Sequence, residues 1–306
     1  MFHLGLDIGG TKMAAVLLDA SGAVHLRERR PTYKESYQGF MDTLVSMIDD
    51  ISVSARGEFT VGIGLPGAID PHSGLIKNCN CLVLNGENLQ DDLAKRLGQP
   101  VFLANDADCF ALSEAVDGAG AGYGTVFGVI VGTGCGGGVV VNGQLLSGPN
   151  AIAGEWGHNP LPAWQAIKDG PCQHCYCGQE NCIESFISGT GFTRRFNEAQ
   201  GTLLQAEAII AAANQHDPFA LRHYHHFIDA FARSLASVIN ILDPHVIVIG
   251  GGLSNVERIY QDLPAAIEKY IFSSSCHTAI VKAKFGDSSG VRGAAWLPTL
   301  SVTSKL

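Results

Sequence analysis

An α/β protein of two domains is what the sequence predicts, on three observations. The chain has 306 residues and is 46% hydrophobic, more apolar material than a single core usually organises. Glycine is in excess, at 37 residues, and it gathers in turns between short apolar runs that read as strands. One strand–turn–strand unit also occurs twice, at residues 4–22 and 126–143, the mark of a supersecondary element used again.

Composition excludes several classes. Twenty Lys and Arg stand against 29 Asp and Glu, a net charge of −9. That disfavours a broad electrostatic grip on nucleic acid or an anionic membrane. Nine cysteines, an odd number without regular disulfide spacing, suit reduced thiols in a cytoplasmic enzyme, some of them on metal. The start, Met1-Phe-His-Leu-Gly-Leu-Asp7, carries no basic leader region, so no targeting segment is expected. Residues 118–154 lack any formal charge, yet their glycine clusters break a membrane helix.

The elements follow in order. Residues 4–8 form an apolar strand, Gly9-Gly10-Thr11 a turn, and residues 13–18 a return strand before an Asp-Ala-Ser-Gly turn. Gly62-Ile-Gly-Leu-Pro-Gly67 has dinucleotide-motif spacing, but no helix start follows it, and the same holds at Gly132-Thr-Gly-Cys-Gly-Gly137. The segment at Lys12 also falls short of a Walker loop, because Thr11 precedes the lysine and a strand follows it. Two Gly-rich hairpins remain. Turns without Cβ atoms let backbone N–H groups approach an anion, and the duplication favours phosphate binding over purely structural glycine. Residues 101–104 read as a buried strand and 107–116 as a helix, with Asn105-Asp106 between them. On spacing alone either residue is first of all a helix N-cap. A long apolar pattern at 219–242 predicts a buried helix ended by Asp243-Pro244, with His223 and His226 on an exposed polar face. Residues 247–254 read as strand, turn and helix. Cys175, Cys177 and Cys182 supply three thiolates at the density of a tetrahedral Zn²⁺ site. Gly178 permits the tight turn, and Cys172 and His174 are competing ligands.

Asp7-Ile-Gly-Gly-Thr-Lys12 and Gly132-Thr-Gly-Cys-Gly-Gly-Gly138 resemble the two phosphate motifs of the actin, sugar kinase and heat-shock chaperone ATPase fold. Leu103-Ala-Asn-Asp-Ala107, Gly154-Glu-Trp-Gly-His158 and Cys175-Tyr-Cys-Gly-Gln-Glu-Asn-Cys-Ile-Glu184 narrow the resemblance to the ROK family of bacterial sugar kinases. It runs as far as Gly286-Asp-Ser-Ser-Gly-Val-Arg-Gly-Ala-Ala295.

The resemblance implies a two-domain actin-like fold with an interdomain active-site cleft. The expected small domain is residues 1–112 plus 289–306, and the large one 113–288 with the zinc knuckle. Asp106 matches the catalytic base that takes a sugar hydroxyl's proton as oxygen attacks the γ-phosphoryl of ATP. Asn105, Asp106, Glu155, His158 and Glu184 match the hexose-binding positions. The ATP phosphates fall to Gly9, Gly10, Thr11 and Lys12, then to Thr133, Gly134, Cys135, Gly136, Gly137 and Gly138. Gly251 lies on the adenosine side, and Asp7 would hold Mg²⁺ through water. The family makes His158 the fourth ligand of a structural Zn²⁺, which gives that ring a second role beside sugar binding. Asn181 departs from the family's glycine, a change that asparagine tolerates because it also visits left-handed backbone.

Family membership further implies a homodimer acting on small molecules. A regulator of the same family would add an N-terminal DNA-reading module, which this chain is not expected to carry. Residues 77–86, 155–162 and 186–192 look most similar to bacterial fructokinases and mannofructokinases. Fructose or mannose is therefore the expected sugar, with N-acetylglucosamine or glucose as the alternative.

Overall fold

The structure is a computed structural model that describes residues 1–55 and 57–300. Twelve strands and ten helices are present among the described residues. The first half opens with β1 (Phe2–Ile8), β2 (Lys12–Leu18), β3 (Val24–Pro31) and α1 (Tyr37–Ala55). It continues with β4 (Phe59–Leu65), the short pair β5 (Ala68–Ile69) and β6 (Ile76–Lys77), α2 (Leu89–Leu97), β7 (Val101–Asn105) and α3 (Asp106–Val116). Next come β8 (Thr125–Val131), β9 (Cys135–Val141) and β10 (Gln144–Leu145). Helices α4 (Ala166–Asp169), α5 (Glu184–Ile187), α6 (Gly189–Gln200), α7 (Ala206–Asn214) and α8 (Pro218–Leu242) then run to β11 (Val246–Gly250). The chain closes with α9 (Arg258–Ile267), β12 (Ala279–Lys282) and α10 (Ser289–Trp296).

The repeated unit read in the sequence recurs in the sheets. One five-stranded sheet runs β3-β2-β1-β4-β7, and another runs β10-β9-β8-β11-β12. In the first, β1 pairs antiparallel with β2 and parallel with β4, which is parallel to β7. In the second, β9 is antiparallel to β10, while β8, β11 and β12 are mutually parallel. A hairpin followed by parallel crossovers is thus built twice, an α/β arrangement in which helices cover the sheets.

The chain separates into two compact units. One comprises Met1–Gly124, Gly138–Gly154 and residues 284 onward, and the other Thr125–Gly137 and Glu155–Ala283. Residues 301–306, the end of the segment assigned to the small domain, lie outside the described residues.

Strand alternation explains the two cores of the first unit. Leu4, Leu6, Ile8, Met13, Ala15 and Leu17 point to one face, where Phe40, Leu44, Met47 and Ile51 of α1 bury them. Val16 and Leu18 point to the other, against Cys109 and Leu112 of α3 and Ala294, Ala295 and Trp296 of α10. Helix α10 comes unusually close. A Cβ at Gly62 would stand 1.9 Å from the Ala294 carbonyl oxygen, and one at Gly293 would stand 1.6 Å from that of Cys109. Glycine is required at both positions for the backbones to touch.

In the second unit α8 is the spine. Asp217 caps it by accepting from Phe219 and Ala220 amides, Pro218 opens it, and Asp243 ends it in a left-handed conformation (φ 46°). Phe227 and Phe231 are buried on it, and Trp156 lies between Phe231 and Phe127. The histidines on α8 divide. His226 is exposed, as the sequence suggests, and so is His225, but His223, expected on the same exposed face as His226, is half-buried against Phe192 and Phe196. Its Nε2 lies 2.8 Å from the Phe192 carbonyl oxygen. Burial is the main reason its pKa falls to about 4. Helix α6, absent from any pattern local to α8, turns this polar position inward.

Candidate active site

In the first unit the site is built on strand ends. Asp7 is the penultimate residue of β1, opposite Ala14 of β2 and Gly64 of β4. The turn after it is fixed by the Gly9 amide donating to the Lys12 carbonyl at 3.0 Å. Thr32 at the end of the third strand's hairpin adds its hydroxyl to the Gly9 carbonyl at 2.7 Å. Lys12 and Thr11 are exposed at the turn.

At the end of β7, Asn105 is indeed the N-cap of α3, its side-chain oxygen accepting from the Ala107 amide at 2.8 Å. Its side-chain nitrogen donates to the Gly67 carbonyl at 2.9 Å, so the backbone engages both ends of the amide. Asp106 is the first residue of the helix, where the first-turn dipole favours a carboxylate. Asp7 feels it directly. Burial, and then the negative charge of Asp106, raise the Asp7 carboxyl from its usual 3.8 to about 6, with Lys12 partly offsetting them. Two carboxylates held this way suit a cation, which would lower that electrostatic cost. The donor chemistry therefore fits Mg²⁺.

The second unit carries the other groups. The turn of the second hairpin, Gly132 to Gly134, is held from two sides. Gly189 at the start of α6 donates its amide to the Gly132 carbonyl at 2.7 Å. Glu184, the first residue of α5, accepts from the Cys135 amide at 2.8 Å. Gly251 adopts φ +82°, and a Cβ there would lie 2.6 Å from the Val131 backbone, so glycine alone lets β11 turn beside this hairpin.

Beyond the turn opens a groove of ≈ 1130 Å³ whose lining includes Gly132, Thr133, Thr190, Arg194, Glu207 and Arg258. That is the size class of small-molecule and cofactor sites. The first turn of α6, capped by Ser188, contributes Gly189 and Thr190 to its lining, and helix N-termini favour anions. Gly136 and Gly137 are elsewhere. The Gly136 carbonyl accepts from the Trp156 indole at 3.0 Å, and a Cβ at Gly137 would meet the Trp156 ring. Gly138, in the first unit, packs against the Ala107 carbonyl. Sequence patterns missed Thr190, Arg194 and Glu207, because α6 and α7 present them singly and no local motif joins them.

The knuckle is the most sharply defined cluster. One donor atom each from His158, Cys175, Cys177 and Cys182 lies within 4.8 Å of the others. Cys177 and Cys182 sulfurs are 3.6 Å apart, and His158 Nδ1 is 3.6 Å from the Cys175 sulfur. Ligand edges of a tetrahedral zinc site with Zn–S bonds of about 2.3 Å are about 3.7 Å, so the spacing fits. Desolvation pushes the buried Cys182 thiol up to about 12. A divalent cation reverses that resistance to ionisation.

The competing ligands are set aside. Cys172 and His174 are exposed and outside the cluster, and His174 pairs with Glu180 at 3.5 Å. Gly178 (φ 88°) makes the tight turn, and Asn181 takes the left-handed conformation anticipated for it (φ 56°). Asn181 also stitches the loop, its side-chain oxygen accepting from Gln173 and its carbonyl from Leu161.

Glu155 precedes the short 3₁₀ turn Trp156–His158, which brings the imidazole under the knuckle. The outer nitrogen of that ring, Nε2, lies 3.1 Å from the Tyr176 hydroxyl.

The chain is similar to known sugar kinases along nearly its whole length. The ROK family model matches residues 3–299. The N-acetyl-D-glucosamine kinase of Pasteurella multocida (strain Pm70) is 40% identical over 298 residues, covering 96% of this chain and 98% of that protein. A ROK hexokinase from Thermus thermophilus superposes with a TM-score of 0.86 at 30% identity, covering 96% of this chain and 97% of that one. A ROK glucokinase from Streptomyces griseus, solved with glucose and AMPPNP, gives a TM-score of 0.74 at 26% identity over 96% of this chain and 98% of that one. Among the described residues no helix is long and apolar enough to cross a membrane.

Proposed function

This chain belongs to the ROK family and is a sugar kinase; we propose that it transfers the γ-phosphoryl group of ATP to the 6-hydroxyl of a free hexose. The observation that carries this reading is the pair Asp7 and Asp106, two interacting carboxylates, one near the end of β1 beside a Gly-rich turn and one opening α3 directly after β7.

Asp106 accepts the proton of the 6-hydroxyl while that oxygen bonds to the γ-phosphorus and the bond to the ADP oxygen breaks. The stiff strand before it and the helix after it fix the direction in which the carboxylate faces. Asp7 would hold Mg²⁺, whose charge neutralises the phosphates when bound. The hairpin turns at Gly9-Gly10-Thr11 and Gly132-Thr133-Gly134 present backbone donors to the phosphates, and the groove beside Gly252 takes the nucleoside. Glu155, His158 and Glu184 bind sugar hydroxyls, each of which is both donor and acceptor. The His158/Cys175/Cys177/Cys182 cluster would hold a structural Zn²⁺, which fixes the loop rather than entering the reaction.

N-acetylglucosamine is the sugar that the relatives support, because proteins of that name match at 40% identity along nearly the whole chain. A second reading, fructose or mannose, rests on residues 77–86, 155–162 and 186–192. A coupled ADP-release assay across fructose, mannose, glucose and N-acetylglucosamine tests both. One sugar should stand out in kcat/KM; no ADP release with any hexose would overturn the kinase reading.

A further inference from the structure

Tyr176 lies between two knuckle cysteines and belongs to no role so far assigned. Its hydroxyl lies 3.1 Å from His158 Nε2, the nitrogen opposite the one that faces the thiols. The two rings meet edge to face, with centroids 5.2 Å apart and planes at 89°. The phenol therefore stands against His158, one of the side chains proposed to bind sugar. The residue is nevertheless 83% exposed, so packing does not hold it there. Its backbone is held instead, because Cys175 accepts from Gly178 and donates to Gln179 across the knuckle turn.

We propose that Tyr176 is a specificity-determining residue of the sugar site, which restricts the sugar substituent facing His158 to the size of a hydroxyl group. The inference rests on the hexose-kinase reading and divides its two candidate sugar classes. A hydroxyl reaches this corner by hydrogen-bonding to the phenol, or to Nε2 after a small swing of the ring. An acetamido group puts several heavy atoms in place of one. It enters only if the ring leaves His158, at the cost of the hydrogen bond and the edge contact. The cysteines on both sides limit how far the backbone can yield. We take the substituent facing His158 to be the one on carbon 2, where glucose and mannose differ from their acetamido analogues, so this corner favours a free hydroxyl there over an acetamido group.

The test compares glucose with N-acetylglucosamine and mannose with N-acetylmannosamine on zinc-loaded protein. Both kcat/KM and sugar affinity, the latter by equilibrium dialysis without ATP, are measured. Wild type should prefer the hydroxyl member of each pair by at least about tenfold. Tyr176→Gly should shrink that preference to within about threefold, while zinc content and the KM for ATP stay unchanged. Tyr176→Phe keeps the bulk and should keep the preference. If glycine costs the knuckle its metal, Tyr176→Ala makes the same truncation with an ordinary backbone. Wild-type preference for the acetamido sugars overturns the proposal, and so does an unchanged ratio in the truncated variants. Sugars that bind in the expected ratio yet are never phosphorylated would instead sink the kinase reading and leave the role of Tyr176 standing.

Discussion

Asp7 and Asp106 stand at strand ends in a sheet buried on both faces, whereas His158 and its three cysteines stand in a loop in which Cys177 is exposed. The carboxylates need no metal to be placed. Pairing of β1 with β2 and β4 and the capped start of α3 already fix them. The knuckle has only a few backbone hydrogen bonds, such as Cys175 to Gln179 and Asn181 to Gln173. Burial makes the Cys175 and Cys182 thiols resist ionisation, a cost that a bound cation would offset. Rigid elements can place charges at the outset, while a loop of this kind would gain its rigidity from the proposed ion.

The sharpest way to break this contrast is to remove function while leaving the frame intact. Asp106→Asn should lower kcat by at least about 10²-fold with little change in thermal stability, because asparagine also serves a first helical turn. Near-wild-type turnover in that variant would take Asp106 out of the mechanism.

The knuckle should respond in the opposite sense. Metal analysis is expected to give about one zinc per chain, and Cys177→Ala should lose both zinc and several kcal/mol of stability. Full zinc content in Cys177→Ala would show that other ligands hold the ion.

Chelation under conditions where the protein stays folded sharpens the comparison further. A loosened His158 loses a directional hydrogen bond worth about 1–3 kcal/mol, so the sugar KM should rise about 5- to 150-fold with little change for ATP. Equal changes in both constants would mean that the ion supports the fold at large.

The smallest effect is expected in the apo protein's pH profile. Asp7 titrates near 6 when folded and at 3.8 ordinarily. Between those values the folded state keeps a proton that the unfolded state has lost. Its contribution is therefore most favourable below the ordinary pKa and declines as pH rises through about 6, by on the order of 1–3 kcal/mol. Asp7→Asn should flatten that decline in urea melts. Mg²⁺-nucleotide affinity of the wild type should weaken as pH falls through the same window, since proton and cation compete. A pH-independent affinity between 5 and about 7.5 would place the cation elsewhere.

Much of this could be read in the sequence because it is local. Two hairpins, the strand running into the helix at Asn105-Asp106, the long helix stopped at Asp243 and the left-handed Asn181 all follow from periodicity and turn chemistry within a few residues. The three cysteines were likewise legible, since their spacing lies within one loop; His158 came only through the family resemblance.

Tertiary structure alone decided what depends on distant neighbours. His223 turns inward because the Phe192 carbonyl, on another helix, awaits it. Cys172 and His174 are excluded because the loop directs them away from the cluster. The high Asp7 pKa comes first from burial and then from Asp106, nearly a hundred residues later, directly after a strand joined to β1 by parallel pairing through β4. Tyr176 gained meaning only when the turn placed its hydroxyl on His158. Local pattern sets which backbone forms; which charges and rings then meet is a long-range distance that sequence neighbours do not encode.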